Sequence, residues 1–89
     1  CYSGNGDKYR GTANTTVSGI DCQPWGLQRP HLHVFDAESY PEAGLDGNYC
    51  RNPDGAAQPW CYTMDANVRW EYCDVQQCGM VVRPPIFIQ

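Results

Sequence analysis

Residues 48–73 read NYCRNPDGAAQPWCYTMDANVRWEYC, and the fold is decided there. The stretch holds three cysteines, Cys50, Cys61 and Cys73, with Pro53, Gly55 and Pro59 interrupting it before any helix can start. Beyond Pro59 lie two strand-like runs, 60–64 and 68–73, separated by Asp65-Ala66-Asn67, which is good turn chemistry. Their pairing predicts a small antiparallel hairpin. Period-two alternation puts Trp60 and Tyr62 on one face of the first strand, and Trp70 and Tyr72 on one face of the second. Four rings placed this way either form a sticky trough or replace a missing aliphatic core. Both hold if each ring lends one face to the interior.

Outward from this stretch the punctuation stays dense. Gly4, Gly6, Gly11, Gly19, Gly26, Gly44 and Gly47, with Pro24, Pro30 and Pro41, leave no segment with a helical period over three turns. Aliphatic and Phe side chains before the C-terminal tail are few: Val17, Ile20, Leu27, Leu32, Val34, Phe35, Leu45, Val68 and Val75. A chain of 89 residues must offset on the order of 100 kcal/mol of conformational entropy. So thin an aliphatic set does not make a conventional core. The six cysteines (Cys1, Cys22, Cys50, Cys61, Cys73 and Cys78) are the alternative source of stability. An even number in a short chain predicts three disulfides formed in an oxidising compartment. Zinc is the competing reading, and it fits badly. There is no Cys-x-x-Cys pair, and His31 and His33 lie far from most of the cysteines.

The formal net charge is −4, and Lys8, Arg10, Arg29, Arg51, Arg69 and Arg83 are scattered. Nucleic acid and heparin both call for clustered cations, so neither is expected as a partner. No apolar run approaches the length of a membrane span. Asn14-Thr15-Thr16 is an N-x-T sequon that marks a surface loop, and makes Asn14 the candidate glycosylation residue. After Cys78 the composition changes. Residues 79–89 carry Pro84-Pro85 and the run Ile86-Phe87-Ile88, and are expected to form a C-terminal linker or tail.

Several pieces in register resemble the kringle family. They are Cys1, Gly4-Asn5-Gly6, Tyr9-Arg10-Gly11-Thr12, Cys22-Gln23-Pro24-Trp25, Pro30-His31-Leu32-His33, Asn48 to Gly55, Pro59 to Thr63, and Arg69 to Cys73. The resemblance spans residues 1–78 and implies one small disulfide-rich domain. That domain has a triple-loop fold with little regular secondary structure beyond short antiparallel β-hairpins. Six cysteines allow fifteen connectivities. The resemblance implies Cys1–Cys78, Cys22–Cys61 and Cys50–Cys73, with the two inner bridges close together at the centre. It also implies a core of Tyr9, Trp25, Leu45 and the inward faces of Trp60 and Tyr72. His31 and His33 belong to the family pattern, and are expected to be structural hydrogen-bonders.

Many kringles bind a lysine side chain or an ω-amino acid that mimics it. The aliphatic stem lies in an aromatic trough, the ammonium meets paired carboxylates, and a free carboxylate meets cations at the far end. Carried over residue by residue, the trough falls on Trp60, Tyr62 and Trp70, with Tyr72 behind. Asp54 matches the first carboxylate, but the second falls on Ala56. Arg69 matches one cation, but the other basic position falls on Phe35. Losing one carboxylate from a partly buried ammonium costs about 2–4 kcal/mol, roughly 30- to 1000-fold in affinity. A degenerate lysine site, weak or lost, is therefore expected.

The expected function is a non-catalytic, extracellular protein-interaction module of a larger secreted protein, with no cofactor and no metal. Its partners are expected to be extracellular proteins, met weakly through lysine or other amine side chains. An enzyme fits poorly, because the cysteines are committed to bridges and no serine stands with a plausible base. The alternative is a kringle in the ectodomain of a receptor tyrosine kinase of the Ror or MuSK kind, where it would contribute to ligand or co-receptor recognition. Cys22-Gln23-Pro24-Trp25 and Cys73-Asp74-Val75 resemble that group, while Asn52-Pro53-Asp54 and Trp70-Glu71-Tyr72 lean toward plasminogen-like kringles.

Overall fold

The computed structural model describes residues 1–79. Of the expected tail at 79–89, all but Gly79 lies outside the described residues. Among the described residues there is no helix, and two short strands pair antiparallel: β1 (Trp60–Tyr62) and β2 (Trp70–Tyr72). The register sets Trp60 opposite Tyr72, Cys61 opposite Glu71 and Tyr62 opposite Trp70. All four rings therefore share one face, and Cys61 is directed the other way into the disulfide centre.

The strands are shorter than the runs 60–64 and 68–73, because side chains and distant loops take the backbone partners at their ends. The ladder continues to Thr63 N–H donating to the Arg69 carbonyl at 3.2 Å, and then Met64 N–H turns away to the Asp21 carbonyl at 2.9 Å. The Thr63 hydroxyl donates to the Val68 carbonyl and accepts the Asp65 amide at 3.0 Å. The Asp65 carboxylate accepts the Asn67 amide at 2.8 Å. The turn closes on its own side chains.

Other segments dock on the hairpin one residue at a time. Arg51 and Trp60 exchange two backbone hydrogen bonds at 3.1 and 2.8 Å. Isolated bridges join Cys22 to Thr63, Thr16 to Cys73 and Tyr2 to Gln77. The disulfides are Cys1–Cys78, Cys22–Cys61 and Cys50–Cys73, the pairing implied by the resemblance. The two inner bridges pack against one another, with Cys22 Sγ 3.7 Å from Cys50 Sγ and 4.0 Å from Cys73 Sγ. Four sulfurs this close could also hold a metal ion as thiolates, but every one is bonded to another sulfur.

Around the sulfurs, Trp25, Leu45, Trp60 and Tyr62 are buried. Tyr9 and the inward face of Tyr72, also expected in the core, pack against it while both residues stay half-buried. The Tyr9 hydroxyl accepts the Ala13 amide at 3.2 Å while its ring covers Arg51, and Tyr72 lies beside the exposed Trp70. Much of the remaining interior is polar. Buried Gln23 donates to the Leu27 and His31 carbonyls at 2.8 and 3.0 Å and accepts the His31 amide at 2.9 Å. Buried Arg51 donates to the carbonyls of Gly44, Gly11 and Cys50 at 2.7–2.8 Å, between the rings of Tyr9 and Tyr49. A guanidinium so placed is satisfied by carbonyls and π faces, and desolvation pulls its pKa down.

His31 and His33 are hydrogen-bonders, as expected. Each Nε2 lies 2.9 Å from a carbonyl, of Asp65 and Leu27 respectively. A carbonyl only accepts, so both rings carry a proton on Nε2.

Candidate functional site

The hairpin's aromatic face floors an open cavity of about 360 Å³ lined by Phe35, Asp54, Ala56, Trp60, Tyr62, Arg69, Trp70 and Tyr72. All seven ligand-site residues expected from the sequence meet there, together with Ala56. Its size is at the small end of ligand cavities, which run from about 300 to 1,000 Å³. The rings meet edge to face: Trp60 with Tyr62 at 5.0 Å, Trp60 with Trp70 at 5.9 Å, and Trp70 with Tyr72 at 5.1 Å between centroids. Trp60 and Tyr62 are buried, whereas Trp70 is 46% exposed. The trough therefore has a fixed floor and one open wall. Trp25 packs edge-on against both floor rings, and His33 stacks on Tyr62 at 4.7 Å.

The acidic end is built by a loop closed on one side chain. Buried Asn52 donates to the carbonyls of Asn5 and Ala56 at 2.7 and 2.8 Å, and accepts the Ala56 amide at 2.8 Å. Gly55 follows Asp54 at φ +74°, a conformation that favours glycine and lets the loop reverse. Asp54 is left exposed at the rim, where its Oδ1 accepts the Trp60 Nε1 proton at 3.0 Å. That bond fixes the carboxylate against the floor. Ala56, held by the same clamp, contributes a methyl group to the cavity beside it.

At the other end Arg69 donates to the Leu32 carbonyl at 2.8 Å, with its guanidinium 5.1 Å from the Tyr62 ring centre. Burial pushes the Tyr62 phenol above its ordinary pKa, against the pull of Arg69, so it stays neutral near pH 7. Phe35 meets Trp60 edge-on at 5.8 Å and Tyr40 at 4.9 Å, extending the apolar wall. The other acids of the hairpin serve elsewhere. Asp65 caps its turn, and Glu71, on the opposite face of β2, accepts the Ser18 hydroxyl at 3.0 Å.

Three supports of the site escaped sequence reasoning: the Asn52 clamp, the Trp60–Asp54 bond and the Leu32 carbonyl that holds Arg69. Asn52 lay inside the NPD motif and could have been suspected. The Leu32 carbonyl carries no sequence signal. Chemically, the arrangement offers an aliphatic or aromatic-facing slot, one carboxylate at one end and one guanidinium at the other. Asn14 does not line it, and is exposed elsewhere.

The profile of the kringle domain family matches residues 1–78. The chain belongs to the kringle family. A kringle domain is itself non-catalytic. This kringle is similar to plasminogen from Capra hircus, with 58% identity over 79 residues, covering 89% of the chain and 64% of that protein. It is similar as well to the Homo sapiens protein named "Putative apolipoprotein(a)-like protein 2", with 58% identity over 79 residues, covering 89% of the chain and 60% of that protein. The chain thus spans less than two thirds of the length of either relative.

Proposed function

We propose that this kringle is a non-catalytic, extracellular protein-interaction module of a larger secreted protein, and that its trough is a degenerate lysine-type site of low affinity. The observation that carries the reading is a single cavity with four aromatic rings between one carboxylate, Asp54, and one guanidinium, Arg69, while Ala56 and Phe35 stand where further charges would complete it. The aromatic floor suits an aliphatic stem, and Asp54 suits an ammonium. With Ala56 supplying no second carboxylate, the ammonium meets Asp54 alone, and affinity falls by about 30- to 1000-fold. The three disulfides and the similarity to a plasminogen support an extracellular setting. Both named relatives weigh for a secreted parent over a receptor ectodomain.

Titration calorimetry of the full chain with an ω-amino acid and a matched alkylamine tests the site. Ala56→Asp is expected to raise affinity for both ligands by about tenfold or more, because it gives the ammonium a second partner. Phe35→Lys added to it is expected to help only the ω-amino acid, whose carboxylate reaches that end. Trp70→Ala in the same background is expected to remove binding with the loss of the wall. Tight binding of the ω-amino acid by the unmodified domain would refute the reading. So would an Ala56→Asp variant that folds and binds nothing.

A further inference from the structure

The Asn14-Thr15-Thr16 sequon is not absorbed by the trough, and the fold treats its two ends oppositely. Asn14 is exposed, whereas Thr16 is 2% exposed. The Thr16 hydroxyl accepts the Ile20 amide at 3.2 Å, and the Thr16 amide donates to the Ile20 carbonyl at 2.9 Å. On its other side Thr16 bridges to Cys73, and the next amide, of Val17, donates to the Tyr72 carbonyl at 2.9 Å. The Asn14 carbonyl accepts the Cys22 amide at 3.0 Å, and the Ala13 carbonyl accepts the Cys50 amide at 2.8 Å. The sequon is thus held between the two inner disulfides. An N-glycosylating enzyme needs both the asparagine amide and the hydroxyl two residues on, presented together on a free backbone. The folded domain offers only the first.

We propose that Asn14 is an N-glycosylation site open only on the unfolded chain, and closed by the docking of Thr16 on Cys73. The proposal rests on the extracellular reading for the route by which the chain meets the enzyme. In the transfer, Asn14 Nδ2 forms a bond to C1 of the sugar of a lipid-diphosphate-linked oligosaccharide. The bond from C1 to the phosphate oxygen breaks, the lipid diphosphate leaves with the electron pair, and Nδ2 gives up one proton. Cys73 follows Thr16 by 57 residues. At about 5–20 residues per second of synthesis, the sequon stays uncovered for about 3–11 s before its partner strand exists. That interval, followed by closure of Cys50–Cys73 and Cys22–Cys61, sets the occupancy.

The test uses the full chain made without glycan, offered to purified oligosaccharyltransferase with its lipid-linked donor, and read by intact mass. The reduced and alkylated chain is expected to gain one oligosaccharide, and its Asn14→Gln variant none. The oxidised, folded chain is expected to react at least about a hundredfold more slowly, since exposing Thr16 requires opening the core. Comparable rates for the folded and reduced chains would overturn the gating. An unmodified reduced chain would overturn the site itself. No secretion is involved in this assay, so its failure falls on Asn14 alone. Absence of the chain from the medium of secreting cells would count against the extracellular reading alone.

Discussion

Asn52 is the side chain on which the acidic end of the trough depends. It is buried and makes three hydrogen bonds across the loop that presents Asp54 and Ala56. Asn52→Ala leaves the Asn5 and Ala56 groups without that partner, and is expected to cost about 2–3 kcal/mol in a denaturant titration. A second expectation concerns Glu71. The Thr16 hydroxyl, and then that of Ser18, holds its carboxyl below the ordinary value of 4.5. A depressed folded-state pKa gives stability that is present above the unfolded value and lost as pH falls through the folded one. The wild type should therefore exceed Glu71→Gln in denaturant midpoint near neutrality, with the gap closing below about pH 4.5. Asp36, lowered chiefly by the Ser39 amide, adds acid sensitivity of the same sign and does not change between the two proteins. A gap that stays constant from neutral to strongly acid pH would show that Glu71 acts through packing alone.

At the scale of the element, the hairpin owes its shape to its turn as much as to its two three-residue strands. Thr63 is fully buried, and its hydroxyl bonds to the Val68 carbonyl and the Asp65 amide. Thr63→Val preserves shape and β-propensity while removing the hydroxyl, so two turn groups lose their partner. The expected cost is about 1–3 kcal/mol, a fall in Tm of about 4–8 °C per kcal/mol for a domain of this size. Arg69 directly precedes β2 and its carbonyl takes the Thr63 amide, so loosening the turn also frees the guanidinium end of the trough. In the Ala56→Asp background, Thr63→Val is accordingly expected to weaken ω-amino acid binding more than alkylamine binding. Equal loss for the two ligands would place the effect on the floor rings instead.

For the whole molecule, exposure divides the disulfides into two kinds. Cys22, Cys50, Cys61 and Cys73 are 0–3% exposed and packed sulfur to sulfur, while Cys1 is exposed and Cys78 half-buried. Limited dithiothreitol is expected to open Cys1–Cys78 first, as read by alkylation and peptide mass mapping. The two-bridge species loses up to about 4–5 kcal/mol of loop-closure stabilisation. It keeps cooperative unfolding, because Tyr2 still pairs with Gln76 and Cys78 through backbone bonds at 3.1 and 2.7 Å. Reduction of the inner pair is expected to abolish cooperativity, since the aliphatic core is too thin to stand alone. An inner bridge that opens first would refute this order.

Cysteine number, turn formers and aromatic spacing belong to the sequence, and they carried the domain class, the lack of helix among the described residues and the hairpin at 60–73. The resemblance built on those residues supplied the disulfide pairing, and it named the residues that line the aromatic trough, Ala56 and Phe35 among them. Tertiary structure alone decided where the strands stop, because the Met64 amide finds Asp21 and not β2. It alone showed buried Arg51 held by backbone carbonyls, Asp54 tied to Trp60, Arg69 tied to Leu32 and Thr16 closed over by Cys73. The physical reason is the kind of partner. A disulfide joins two residues that the sequence names, and an aromatic trough is four residues that it names. Arg51, Arg69, Gln23 and Asn52 are instead satisfied chiefly by backbone carbonyls, which every residue carries, so only the folded chain selects which carbonyl is near.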